Sequence, residues 1–555
     1  MSSTYTRDPV KAPRVSGLAL KAFVAALEGP VGGIIADKLL ADSGFLRFRA
    51  QSPGNASPLP PSLPHPDPLP RSGASTVMAA DVVAADNAVD RETVASFHRA
   101  YLGGASPADI AARIEEAVRH FAADGMGFFI ARKPEELAAD AAASAGRFKT
   151  GTPRSVLDGV PVVIKDELDI KGFATTLGTN FRHEVATADS TIVARLRAAG
   201  ALIVGKGNMN EIGINPIGLN PHYGPCRNPW NKAHITGGSS SASAATVAAG
   251  LCPISIGADG GGSIRIPAAL CGVVGLKATH GRIPETGIPP LCWTPGHAGP
   301  LGLTVADVAA AYAIIAGTDG HDVSSLRQPP PSVMEFEHGD LSGVRIGVCR
   351  PYFADADADV VKHCDEAIKA LVAGGAVVKE IPPPDLNRIL WSHAVIILSE
   401  MAAAMQGELQ KDSSRFANDS RTNLALGLRF TAIDYVNALR HRHALTLETL
   451  QVLHDVDVIA TPTTASTAPA IPESTLPAGE SNLPVVDALM RFIRVGNLTG
   501  FPAISVPCGF DSGGLPVGFH LLGRPWEEHL LLRLARVVEV AAEVRRPLHH
   551  VSLLR

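Results

Sequence analysis

An α/β layer fold with a mixed or parallel sheet is what this sequence predicts, and three observations carry the prediction. After Gly159, short apolar runs alternate with helix-periodic segments. Val160–Ile164 and Ala201–Val204 read as buried strands, and Thr191–Ala199 as the helix between them. The chain has 555 residues, 46% of them hydrophobic and 19% charged, enough for a large core and too long for one minimal domain.

The elements follow in order. Residues 1–50 read as an N-terminal helical extension. Within 15–48, Leu18, Leu20, Phe23, Val24 and Leu27 precede a Gly29-Pro30 break, and Val31, Ile34, Ile35, Leu39 and Leu40 follow at helix-like spacing. This pattern fits two helices packed on the main body, or an amphipathic element that touches a membrane surface. Residues 51–74 read as a linker, because eight prolines between Pro53 and Pro70 deny both helix and interior strand. The main domain spans 75–555. Ser106-Pro107-Ala108-Asp109 starts a helix with an N-cap serine and proline at its first position. Ile110, Ile114, Val118 and Phe121 continue it. Residues 330–445 read as a helical cap over the site. Asp455–Pro462 and Ala503–Pro507 read as returning strands.

Composition excludes several classes. The net charge is −5 with no Lys/Arg run, so nucleic acid is not expected as a partner. The seven cysteines show no CxxC or Cys/His metal spacing, which predicts free thiols in a reducing compartment. Met1–Lys11 lacks an apolar signal core, and no run of about 18 apolar residues occurs. A cytoplasmic location is expected, with peripheral membrane contact through 15–48 as an option.

The chemistry concentrates in three stretches. Val160-Pro161-Val162-Val163-Ile164-Lys165 ends in a lysine that a buried run would desolvate. Gly237-Gly238-Ser239-Ser240-Ser241-Ala242-Ser243 leads into small residues rather than a polar loop. Asp259-Gly260-Gly261-Gly262-Ser263-Ile264-Arg265 places three glycines before a serine. Glycines let successive N–H groups converge on one point, as an oxyanion requires. A serine hydroxyl needs a base, and a neutral lysine can be one. Neither run fits GxxxxGK[ST], GxGxxG or GxSxG.

With these residues the chain resembles the amidase signature family of serine amidases, and within it the plant-type fatty acid amide hydrolases. The strongest stretch runs from Leu157 to about Leu303, including Cys271-Gly272-Val273-Val274-Gly275-Leu276-Lys277. A second runs from Leu489-Met490-Arg491-Phe492 to Gly523-Arg524-Pro525-Trp526, and a third is Lys11-Ala12-Pro13 with Gly17-Leu18. The resemblance implies a large, mixed, mostly parallel twisted sheet with helices on both faces. It also implies a Ser263–Ser239–Lys165 triad, the serines 24 residues apart, with a cis peptide bond at Ser239. Backbone N–H groups of Gly260, Gly261, Gly262 and Ser263 would form the oxyanion hole. Gly238, Ser240, Asp259 and Arg265 would support it, the last two in structural or ion-pair roles. No metal or organic cofactor is implied, and a homodimer is. Ala242 stands where the family often has glycine; if that position needed positive φ, alanine would cost on the order of 1 kcal/mol. His280 reads as a packed histidine.

The function implied is hydrolysis of long-chain fatty acid amides such as N-acylethanolamines. The alternative is a broad amidase or esterase acting on aryl or short aliphatic amides, esters or carbamates. The amidase component of a tRNA-dependent amidotransferase fits less well, because Thr294-Pro295-Gly296-His297-Ala298 carries no carboxylate before Gly299-Pro300. A non-catalytic lipid-binding protein would be expected to have lost part of the triad.

Overall fold

The structure, a computed structural model, describes residues 5, 7, 14–58, 91–333, 335–476 and 479–555. Most of the predicted linker, from residue 59 on, and the Lys11-Ala12-Pro13 motif lie outside the described residues.

Among the described residues, eleven strands form the central sheet. They are β1 (Phe129–Ala131), β2 (Pro161–Lys165), β3 (Leu202–Gly207), β4 (Ile254–Ala258), β5 (Val274–Lys277) and β6 (Ala298–Gly302), then β7 (Arg345–Val348), β8 (Val377–Glu380), β9 (Val458–Pro462), β10 (Ala503–Phe510) and β11 (Pro516–Gly523). Their spatial order is 8-7-9-11-10-5-6-4-2-3-1. Every residue of β2, β3, β4, β5, β6 and β11 is buried. Successive side chains point to opposite faces, so both faces of the sheet are covered.

The sheet is mixed and covered on both faces, as expected, but it is not mostly parallel. Four ladders are parallel: β2 with β3 and β4, and β7 with β8 and β9. The other six are antiparallel. β5 runs on to β6, and β10 to β11, with no helix between, and each pair lies antiparallel; a crossover is needed only between parallel neighbours.

Local signals explain many boundaries. Ser106 accepts a hydrogen bond from the Ala108 N–H, with Pro107 at the first position of the helix Pro107–Ala123. The buried Asp158 gathers Arg147, the Arg154 N–H and the Ser144 hydroxyl ahead of β2. Val162, Val163 and Ile164 are β-branched, and Pro161 takes the first strand position, where its missing N–H is tolerated.

The described residues of the N-terminal extension hold three helices rather than two: Gly17–Glu28, Gly32–Asp42 and Phe45–Ala50. Gly44, at φ +87°, makes the extra turn. Phe45 and Phe48 pack with Ile389, Trp391 and Val395, and Arg49 grips Asp434 with two bonds of 2.8 Å. Leu18 and Ile34 of this extension remain exposed. No single helix among the described residues is long and apolar enough to cross a membrane.

Residues 330–445 are not one helical unit. Their first part supplies β7 and β8. Their later helices, Leu386–Ala404 foremost, lie beside the cavity described next, which Ile397 and Met401 help to line.

Candidate active site

Two adjacent parallel strands set the site. Lys165 is the last residue of β2, and β4 ends at Ala258, just before the glycine run. Ligand sites gather beyond the carboxyl ends of such strands. A cavity of about 390 Å³ opens there, lined by Lys165, Ser239, Gly260, Gly261 and Ser263.

Lys165 is 1% exposed, and its Nζ donates to Ser239 Oγ at 2.8 Å and to the Ala258 carbonyl at 3.2 Å. Glu167 Oε2 lies 2.6 Å from the same Nζ, an ion-pair approach without hydrogen-bond geometry. Lys206 and Lys277 are also fully buried. Lys206 donates to the Leu168 carbonyl and Thr175, beside Asp166. Lys277 donates to the Phe501 and Ala278 carbonyls and meets His297. Of the three, Lys165 alone lines the cavity.

The serine loop is held from several sides. The Gly238–Ser239 peptide bond is cis. A side chain at Gly238 would collide with Asn210. Ser240 donates from Oγ to the Ala258 carbonyl at 3.0 Å and accepts from the Ala258 N–H at 3.2 Å. Its own N–H reaches the Ser263 carbonyl at 3.3 Å, which ties the two loops together. Ala242 belongs to the helix Ser241–Ala248 and has no positive φ, so the expected alanine cost does not arise.

Asp259 organises the glycine run. It accepts from the Gly262 N–H at 2.6 Å and the Ile264 N–H at 3.1 Å, and pairs with Arg265 at 3.0 Å. Arg265 also reaches Asn497, the Ile493 carbonyl and His520. Burial would push the Asp259 carboxyl up, but Arg265 and the Asn497 amide hold it well below the usual carboxylate range. This network removes one expected oxyanion donor: the Gly262 N–H is spent on Asp259. The N–H groups of Gly260, Gly261 and Ser263 find no acceptor among the described residues. Gly262 serves by shape, since its φ is +114° and a side chain there would strike Ile493.

Several site residues have no role assigned by sequence reasoning. Glu167 lies in the turn just after β2, where strand alternation no longer applies, and nothing local marks it. Asn497 lies inside the second stretch of resemblance, with nothing local to mark its part in the site. His393 gives no local signal; its Nε2 meets the Gly260 carbonyl at 2.9 Å. Glu285 also faces the cavity, and burial, then Asp322 and Glu167, push its carboxyl up to about 8. His280 stands edge-on to His297, with ring centres 5.3 Å apart.

The sequence matches the family described as Amidase over residues 122–532. Fatty acid amide hydrolase from Arabidopsis thaliana is 37% identical over 580 residues, covering 98% of this chain and 95% of that protein. Fatty acid amide hydrolase from Medicago truncatula is 40% identical over 432 residues, covering 76% of this chain and 71% of that protein. A solved structure described as a vestigial complex revealing the origins of an s-triazine catabolic enzyme superposes with a TM-score of 0.75. It is 31% identical and covers 82% of this chain and 99% of that one. With the family matched over most of its length and relatives this similar, the chain belongs to the amidase signature family and is a hydrolase of amide C–N bonds.

Proposed function

We propose that this amidase hydrolyses long-chain fatty acid amides, such as N-acylethanolamines, through a Ser263–Ser239–Lys165 triad. The observation that carries the chemistry is the 2.8 Å contact of the buried Lys165 Nζ with Ser239 Oγ, on the cavity that Ser263 also lines. The substrate class rests on near full-length similarity to plant fatty acid amide hydrolases.

In this reading Ser263 Oγ attacks the amide carbon. Its proton passes to Ser239 Oγ, whose own proton passes to Lys165 Nζ. The N–H groups of Gly260, Gly261 and Ser263 take the developing oxyanion. The proton then returns from Lys165 through Ser239 to the leaving nitrogen, the C–N bond breaks and the amine departs. Water attacks the resulting ester by the reverse relay, releasing the fatty acid and restoring Ser263. Ser240, Asp259 and Arg265 hold the two loops in register.

The same reading has the protein in the cytoplasm as a homodimer. The N-terminal extension touches a membrane surface through exposed Leu18 and Ile34, which supplies lipid substrate. A second reading, a broad amidase for short polar amides, is favoured by one feature: Glu167, Glu285 and Asp322 all line the cavity.

The test is kcat/KM across N-acylethanolamines of increasing chain length, with Ser263→Ala as the blank. A rise toward long chains, abolished in the variant, supports the proposal. A flat or falling series, still abolished, moves the function to the broad amidase. Activity surviving in Ser263→Ala overturns the nucleophile.

A further inference from the structure

The three consecutive glycines before Ser263 raise a question that the triad does not answer. A glycine pair allows its shared peptide plane to rotate with little steric cost. A plane that can turn over would present a carbonyl oxygen to the cavity as readily as an N–H. Something must therefore hold each plane. For the Gly261–Gly262 peptide the holder is Asp259, which takes the Gly262 N–H at 2.6 Å. For the Gly260–Gly261 peptide it is a residue 133 positions away in sequence, on the helix Leu386–Ala404.

His393 is 3% exposed and does not line the cavity. Its Nε2 lies 2.9 Å from the Gly260 carbonyl oxygen. A carbonyl only accepts, so Nε2 carries the proton and donates it. Burial holds this imidazole down to about 4, so it is neutral at physiological pH and its single proton sits on Nε2. The ring also covers Gly261: a Cβ there would lie 2.7 Å from His393 Cε1.

In a trans peptide the C=O and N–H point in opposite directions. The Gly260–Gly261 bond is trans. Drawing the Gly260 oxygen toward His393 turns the Gly261 N–H away from it. Gly261 lines the cavity, and its N–H has no acceptor among the described residues. We infer that His393 is a positioning residue for the oxyanion hole, fixing the Gly260–Gly261 peptide so that the Gly261 N–H faces the reacting carbonyl. The inference rests on the acyl-enzyme reading proposed above.

Two variants test it. His393→Phe keeps a ring over Gly261 and removes the donor. His393→Gln keeps a donor and removes the ring. The readouts are kcat and KM for one amide, and the affinity for two inhibitors with the same chain. A trifluoromethyl ketone adds Ser263 to form a tetrahedral oxyanion; the matching secondary alcohol cannot. Removing one aligned oxyanion donor typically costs on the order of 100-fold in kcat. His393→Phe is expected to lose kcat and ketone affinity to about that extent, with KM and alcohol affinity within about threefold. His393→Gln is expected to recover at least a tenth of both losses. A ketone-to-alcohol preference in His393→Phe equal to wild type overturns the inference. If the Phe variant does not fold, His393→Gln decides: losing the ketone preference entirely while staying folded also overturns it. Ser263→Ala separates the two levels, because activity or ketone adduct formation in that variant sinks the acyl-enzyme reading whatever His393 does.

Discussion

Lys165 and Lys277 are both fully buried residues that end strands of one sheet, yet their surroundings differ in kind. Lys277 donates to two main-chain carbonyls and meets a histidine, and it does not line the cavity. Lys165 meets a serine hydroxyl that can pass a proton onward, and a carboxylate beside it. Burial desolvates a lysine, but only a movable proton on a neighbouring group makes it useful as a base. In the proposed reading Lys165 serves chemistry, while Lys277 ties the end of its strand to the Phe501 carbonyl.

The sharpest way to break this comparison is Lys165→Met. Amide hydrolysis should fall by about 10³- to 10⁴-fold while circular dichroism stays native. Activity within tenfold of wild type would show that Lys165 is as structural as Lys277.

Asp259→Ala comes next, because it leaves Arg265 buried without its carboxylate. The expected loss is about 3–5 kcal/mol in urea unfolding, with hydrolysis lost as the glycine run loosens. Lys277→Met should cost less, about 1–3 kcal/mol, for the carbonyls left without a donor. Its kcat should stay well above that of Lys165→Met in the same assay.

Glu285 sharpens the contrast through pH. Its carboxyl is raised to about 8 by burial and by Asp322 and Glu167. The folded protein therefore binds more protons than the unfolded chain between the ordinary glutamate range and about pH 8, so stability falls as pH rises through that window. Glu285→Gln should unfold at higher urea than wild type at pH 9, by roughly 1–2 kcal/mol given the solvent reaching the cavity, and match it near pH 4. Equal midpoints at pH 9 would remove Glu285 from the charged wall of the site.

The smallest effect is expected from Leu18→Ser with Ile34→Ser. Stability and turnover of dissolved short amides should not change, while hydrolysis of vesicle-borne substrate should fall a few-fold. Equal rates on vesicles would detach the N-terminal extension from lipid delivery.

Much of this is legible in the residues themselves. Val162-Val163-Ile164 announces a buried strand, Ser106-Pro107 a helix start, and the paired Ser/Gly runs the loops that line the cavity, because each signal is local and rests on backbone preference or side-chain shape. Glu167 does not announce itself in this way, because it lies in the turn after the strand, where side-chain alternation has ended. The antiparallel half of the sheet does not, since an apolar run does not record its neighbour's direction. Nor does the diversion of the Gly262 N–H to Asp259, or the grip of His393 on Gly260. Those depend on peptide-plane orientation and on a helix arriving from more than a hundred residues away. The amino acids by themselves determined which groups could act; only the tertiary structure decided which glycine N–H is spent on Asp259 and which is left without an acceptor among the described residues, because a glycine backbone has no preference of its own and takes its orientation from whatever packs against it.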